Sequence, residues 1–78
     1  MLVLRNIEKK TDRIEADYYP ENQEAKGHLC IGLPDESVIR HIPVPGYEYS
    51  AAASHAKKEL IRLAKLNHLP KEKIVMWY

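Results

Sequence analysis

The sequence predicts an α+β domain, an antiparallel β-meander of three to four strands packed on one long amphipathic helix, with a short C-terminal strand. Three observations predict it. Two stretches before residue 44 alternate apolar and polar residues around turn-forming residues, as half-buried hairpins do. Apolar residues then recur at helical spacing from Tyr49 to Asn67. The chain closes on the branched and aromatic run Ile74-Val-Met-Trp-Tyr78, which favours a strand.

The first hairpin is expected from Leu2 to Lys10 and from Arg13 to Tyr19, turning at Thr11-Asp12. With Lys10 facing Arg13, Lys9 meets Ile14, Ile7 meets Ala16 and Arg5 meets Tyr18. That register gathers Val3, Ile7, Ile14, Ala16 and Tyr18 on one face, and it sets Glu8 against Glu15, a repulsion that a bulge would relieve. Pro20 has no N–H for a ladder and ends the second strand, and the polar segment Glu21 to Gly27 connects it onward. The second hairpin is expected from His28 to Leu33 and from Val38 to Pro43, around Pro34-Asp-Glu-Ser37, whose proline and aspartate suit a type I turn.

Pro43-Val-Pro45-Gly46 cannot continue a central strand. Beyond it, Tyr49, Ala53, Ala56, Leu60, Leu63 and Asn67, flanked by Ala52 and Ala64, define the inward stripe of a helix from about Ser50 to Leu66. Ser50 is placed to cap its first turn, and Asn67 to stop it in a left-handed conformation. The alanines let the first half of the helix approach the sheet, with Tyr18 or Tyr49 packing against them, while the leucines fill a wider gap beyond.

At 78 residues one domain is expected, and the chain from Met1 reads as a complete small gene product. Folding at this size hides roughly 60% of the unfolded chain's surface, which leaves a single thin core and little depth for a dry catalytic pocket. No apolar run reaches the length of a membrane span, and the start is too short in apolar residues for a signal peptide, so a cytoplasmic location is expected. Cys30 is the only cysteine, so no intramolecular disulfide is available and stability must come from packing. The net charge of +1 is unevenly divided: residues 1–49 carry six Lys/Arg against nine Asp/Glu, and residues 50–78 carry six against two.

Several constellations could carry chemistry. A four-residue loop at Pro34 to Ser37 would set Cys30 opposite His41, a nucleophile beside a base, but the strand-like run Leu29-Cys-Ile31 favours a packed thiol and no oxyanion-stabilising group accompanies it. The histidines at 28, 41, 55 and 68 have none of the spacings that build a metal site, and the glycines at 27, 32 and 46 form no phosphate-binding loop. No catalytic, cofactor-binding or metal-binding residues are therefore assigned, and no enzyme activity or cofactor is expected.

Two surfaces remain as candidates. Lys58, Arg62 and Lys65 align on the outward side of the helix with Ser54 above them, a pattern able to meet successive phosphates or an acidic protein surface. Trp77, Tyr78 and Tyr47 are residue types favoured at protein contacts. A meander followed by a helix is similar in outline to small sheet-plus-helix DNA-binding domains such as the arm domains of some integrases. Those present a basic sheet face, whereas this second strand offers Glu15 and Asp17 beside Arg13. The expected function is thus a non-enzymatic protein-interaction module whose partner is another protein or a second copy in a homodimer built through an exposed edge strand or the aromatic C-terminus. The alternative is nucleic-acid binding through the basic side of the helix.

Overall fold

In the computed structural model, which describes residues 1–21, 24–47 and 51–76, the chain runs β1 (Leu2–Lys9), β2 (Arg13–Pro20), β3 (Gly27–Gly32), β4 (Val38–Ile42), α1 (Ala52–Leu63) and β5 (Glu72–Val75). The strands form one antiparallel sheet in the order β4-β3-β2-β1-β5. The meander occupies four places, and β5 returns after the helix to pair with the open side of β1. The fold class read from the sequence is the one observed. A radius of gyration of 11.4 Å is close to the ~11.5 Å expected of a compact chain of this length.

The first hairpin follows the predicted register only near its turn. Lys9 pairs with Ile14 and Glu8 with Glu15, but the register then shifts, and Arg5 faces Asp17 while Leu4 faces Tyr18. Asn6 and Ile7 together oppose Ala16, and Asn6 adopts φ 56°, a left-handed conformation that asparagine tolerates better than most residues. The bulge therefore turns Leu2 and Leu4 toward the helix and sends Val3 to the opposite face, correcting the predicted inward set. It does not separate Glu8 from Glu15.

The second hairpin also slips by one residue. Its turn is held by Gly32 N–H donating to the Ser37 carbonyl at 2.8 Å, and the Asp35 carboxylate accepts from the Ser37 amide and hydroxyl. Ile31 pairs with Val38, but Cys30 pairs with Arg40 and Leu29 with His41, so Ile39 is an extra residue in β4. Cys30 and His41 are consequently one position out of register and on opposite faces, against the predicted apposition.

After β4 the chain dives inward at Val44, which is fully buried, and turns at Pro45-Gly46. Tyr47 N–H donates to the Val44 carbonyl at 2.9 Å, and Gly46 has φ 85°, as the third position of a type II turn requires. The helix presents Ala52, Ala56, Leu60 and Leu63 to Leu2, Leu4, Ile7, Ile14, Ala16, Tyr18, Leu29 and Ile31. Full burial of each leucine contributes about 1.5–3 kcal/mol.

The helix is shorter than the periodicity predicts. It ends at Leu63 rather than Leu66, because Lys65 and Leu66 donate their amides three residues back, to Arg62 and Leu63. Lys9 also donates from its ammonium to the Ala64 carbonyl at 2.7 Å, placing a cation at the negative end of the helix. Asn67 is not the left-handed stop, since it has no positive φ. The predicted roles of Tyr49 and Ser50 fall outside the described residues. The final strand begins earlier than predicted, at Glu72, where Arg5 Nε donates to Glu72 Oε1 at 2.8 Å across the β1–β5 pair. Among the described residues no helix is long and apolar enough to cross a membrane.

Candidate interaction surface

One helix covers one face of the sheet, so the other face is built from the alternate residues of each strand. At the middle of that outer face sits Asp17, on the central strand, with only 8% of its surface exposed. Three neighbours hold its carboxylate: His28 Nδ1–H donates to Oδ1 at 2.9 Å, Asn6 Nδ2 to Oδ2 at 2.9 Å, and the Lys26 ammonium to Oδ2 at 3.4 Å. The bulge supplies Asn6, and the direct pairing of Asp17 with His28 across β2 and β3 supplies the imidazole. Burial disfavours the charged carboxylate, but the hydrogen bonds from His28, Asn6 and Lys26 outweigh it, and the pKa lies below the ordinary value.

Beside this cluster, the Arg5 guanidinium stacks 4.7 Å from the centre of the Tyr19 ring while bonded to Glu72. Arg5, Asn6, Ile7, Glu8, Lys71 and Glu72 line a depression of about 370 Å³ where β1 bulges beside the start of β5. Both signs of charge line it in equal number, so it offers no charge preference to a ligand.

Cys30 shares the outer face but is only 3% exposed. Burial pushes its thiol pKa up, and the neighbouring Glu15 carboxylate adds to the rise, the reverse of what a nucleophilic thiolate needs. His41 lies on the helix side, where its Nε2 shares a 2.6 Å hydrogen bond with the Tyr18 hydroxyl. To reach it, the Tyr18 ring crosses directly over Gly27: a methyl group built there would lie 2.5 Å from the ring. Burial raises the Tyr18 pKa. His28 and His41 therefore serve separate faces, and among the described residues no group of three or more His, Cys, Asp or Glu is placed to hold a metal ion.

The basic stripe on the helix is present but unequal. Ser54, Lys58, Arg62 and Lys65 are all exposed. Arg62, however, is clasped by Glu59 one turn away, with Nε donating to Oε1 at 2.9 Å and Nη2 to Oε2. That clasp draws the Glu59 pKa down, against its partial burial. Tyr47 is half-buried and packs on the core, whereas Trp77 and Tyr78 lie outside the described residues.

Sequence reasoning expected an exposed edge strand without saying which, and that strand is β4. All five of its residues are exposed, and three are large aliphatics: Val38 at 48%, Ile39 at 53% and Ile42 at 44%. It forms the edge of the sheet beyond β3, with no strand on its other side among the described residues. The extra residue in β4 places Ile39 over Gly32, on the same outer face as Arg40 and Ile42. Among the described residues no hydrogen bond or ion pair engages the Arg40 side chain. The signal available in the sequence was the density of branched residues in Val38-Ile-Arg-His-Ile42, beyond what one inward face can use.

No known family model, curated protein or solved structure matches this chain.

Proposed function

We propose that the protein is a non-enzymatic protein-interaction module whose docking surface is the β4 edge and the outer face beside it. One observation carries the reading: an edge strand exposed along its full length and bearing three large aliphatic side chains. Sheet proteins ordinarily blunt such edges with charges, prolines or a covering element, since an unpaired edge is a template for another strand. Here β4 has the bulge and Arg40, yet keeps Val38, Ile39 and Ile42 in solvent. Strand addition uses both features together, main-chain groups for affinity and side chains for choice of partner. Self-association through the same edge is the other mode of this reading. The basic side of the helix supports the nucleic-acid alternative less, because Glu59 already neutralises Arg62 and leaves Lys58 and Lys65 as its outward cations.

The test is selection from a displayed library of random peptides on the immobilised protein, repeated on a variant carrying Ile39→Lys and Ile42→Lys. Both substitutions fall on exposed positions, so the fold is expected to persist, which circular dichroism checks. Peptides enriched on the parent and lost on the variant support the reading. Enrichment that is equal on both proteins, or absent from both, removes β4 as the docking surface.

A further inference from the structure

We infer that the β4 edge takes an extended peptide strand carrying a carboxylate opposite Arg40 with apolar residues two positions to either side, and not a second copy of this chain. The inference rests on the docking surface proposed above and adds the chemistry of its occupant. On the outer face the exposed edge presents Ile39, Arg40 and Ile42 in succession, a cation between two aliphatic groups. Directly opposed residues on neighbouring strands interact most strongly, and an opposite charge there is favourable where a like charge is not. Among the described residues the Arg40 side chain has neither hydrogen bond nor ion pair, whereas Arg5, Arg13 and Arg62 each have a carboxylate at hand in Glu72, Asp12 and Glu59. Among the described residues the Arg40 guanidinium is therefore an exposed cation of this face with no carboxylate paired to it.

The same residue argues against self-pairing. Two copies joined along the whole of β4 must run antiparallel about a two-fold axis at the centre of Val38–Ile42, which is Arg40. Each Arg40 would then face its own symmetry mate, a like-charge pair at the middle of the contact. A strand of a different sequence meets no such repulsion. Its central Asp or Glu would take the guanidinium in a charge-assisted hydrogen bond, and its flanking apolar residues would cover Ile39 and Ile42.

Two blocked peptides test the inference, one alternating threonine with isoleucine, aspartate and isoleucine in turn, the other identical except for lysine in place of aspartate. Binding is followed through the backbone amide resonances of the full chain, beside light scattering on the chain alone. The aspartate peptide is expected to bind about fivefold more tightly than the lysine peptide, to move resonances of residues 38–42, and to lose its advantage on an Arg40→Glu variant, which should favour lysine instead. Equal binding of the two peptides at β4 would overturn the inference while leaving the edge as a docking surface. A stable dimer with its interface at β4 would overturn it in favour of the second copy. Failure of both peptides to move residues 38–42 would overturn it too, and the library selection then decides separately whether the edge binds strands at all.

Discussion

Replacing Asp17 should expose how far one buried carboxylate secures the outer face of the sheet. Its side chain is 12% exposed, and its three donors are more open, with His28 at 27% and Lys26 at 56%. A hydrogen bond to a charged group contributes about 1.5–3 kcal/mol when well shielded, and exposed ion pairs contribute no more than about 1 kcal/mol. The His28 and Asn6 bonds at 2.9 Å dominate the Lys26 contact at 3.4 Å. Asp17→Ala is therefore expected to cost about 2–3 kcal/mol, which in a domain of this size lowers the melting temperature on the order of 10–20 °C. Asp17→Asn keeps an acceptor but loses the charge and should fall between the two. The folded pKa of Asp17 lies below its ordinary value of 3.8, so the stabilisation that depends on its charge is fully present above that value. It is lost as the pH falls through the lower, folded value. Urea unfolding of the parent and Asp17→Asn, followed by circular dichroism at about pH 7 and about pH 3, should thus show a gap that narrows in acid. A gap of the same size at both pH values would refute the claim that the ionised carboxylate holds the network.

Two further outcomes are expected. Gly27→Ala would force a methyl group to within 2.5 Å of the Tyr18 ring and 2.7 Å of the Ile42 carbonyl, and, since that carbonyl belongs to the backbone, a loss of about 1–3 kcal/mol is expected; an unchanged urea midpoint would contradict it. Alkylation of Cys30 by iodoacetamide should be slow in the folded protein and become fast in denaturant, because burial and Glu15 both oppose the thiolate; rapid labelling without denaturant would show the thiol to be accessible.

Much of the fold was legible because its signals are local. The turn at Thr11-Asp12 and the break at Pro43 to Gly46 each follow from residues within a few positions, and the helix declares itself through Ala56, Leu60 and Leu63. Register was harder, because one residue of slip exchanges the faces of a strand. The bulge in β1 nevertheless left a trace: the inward residues Leu2, Leu4 and Ile7 are spaced by two and then three, with an asparagine in the gap. The Asp17 cluster had no such trace. It joins Asn6, Asp17, Lys26 and His28, and their meeting depends on a bulge and on how β3 aligns after the polar connection that follows Pro20. The short helix likewise reflects Lys9, a residue of β1 distant in sequence, reaching the Ala64 carbonyl.

An antiparallel sheet with an odd number of strands has outermost strands that point the same way, and this one places β4 and β5 at its two borders. Copies stacked by simple translation would have to join β4 to β5 in parallel, the slightly weaker of the two ladder geometries. Growth of the sheet into a fibre by translation therefore relies on the poorer pairing, although Ile74 and Met76 also stand in solvent near the β5 border. A strand from another chain is under no such restriction and is free to arrive in the antiparallel sense. The parity of the strands thus works against stacking by translation without closing either border to a visitor.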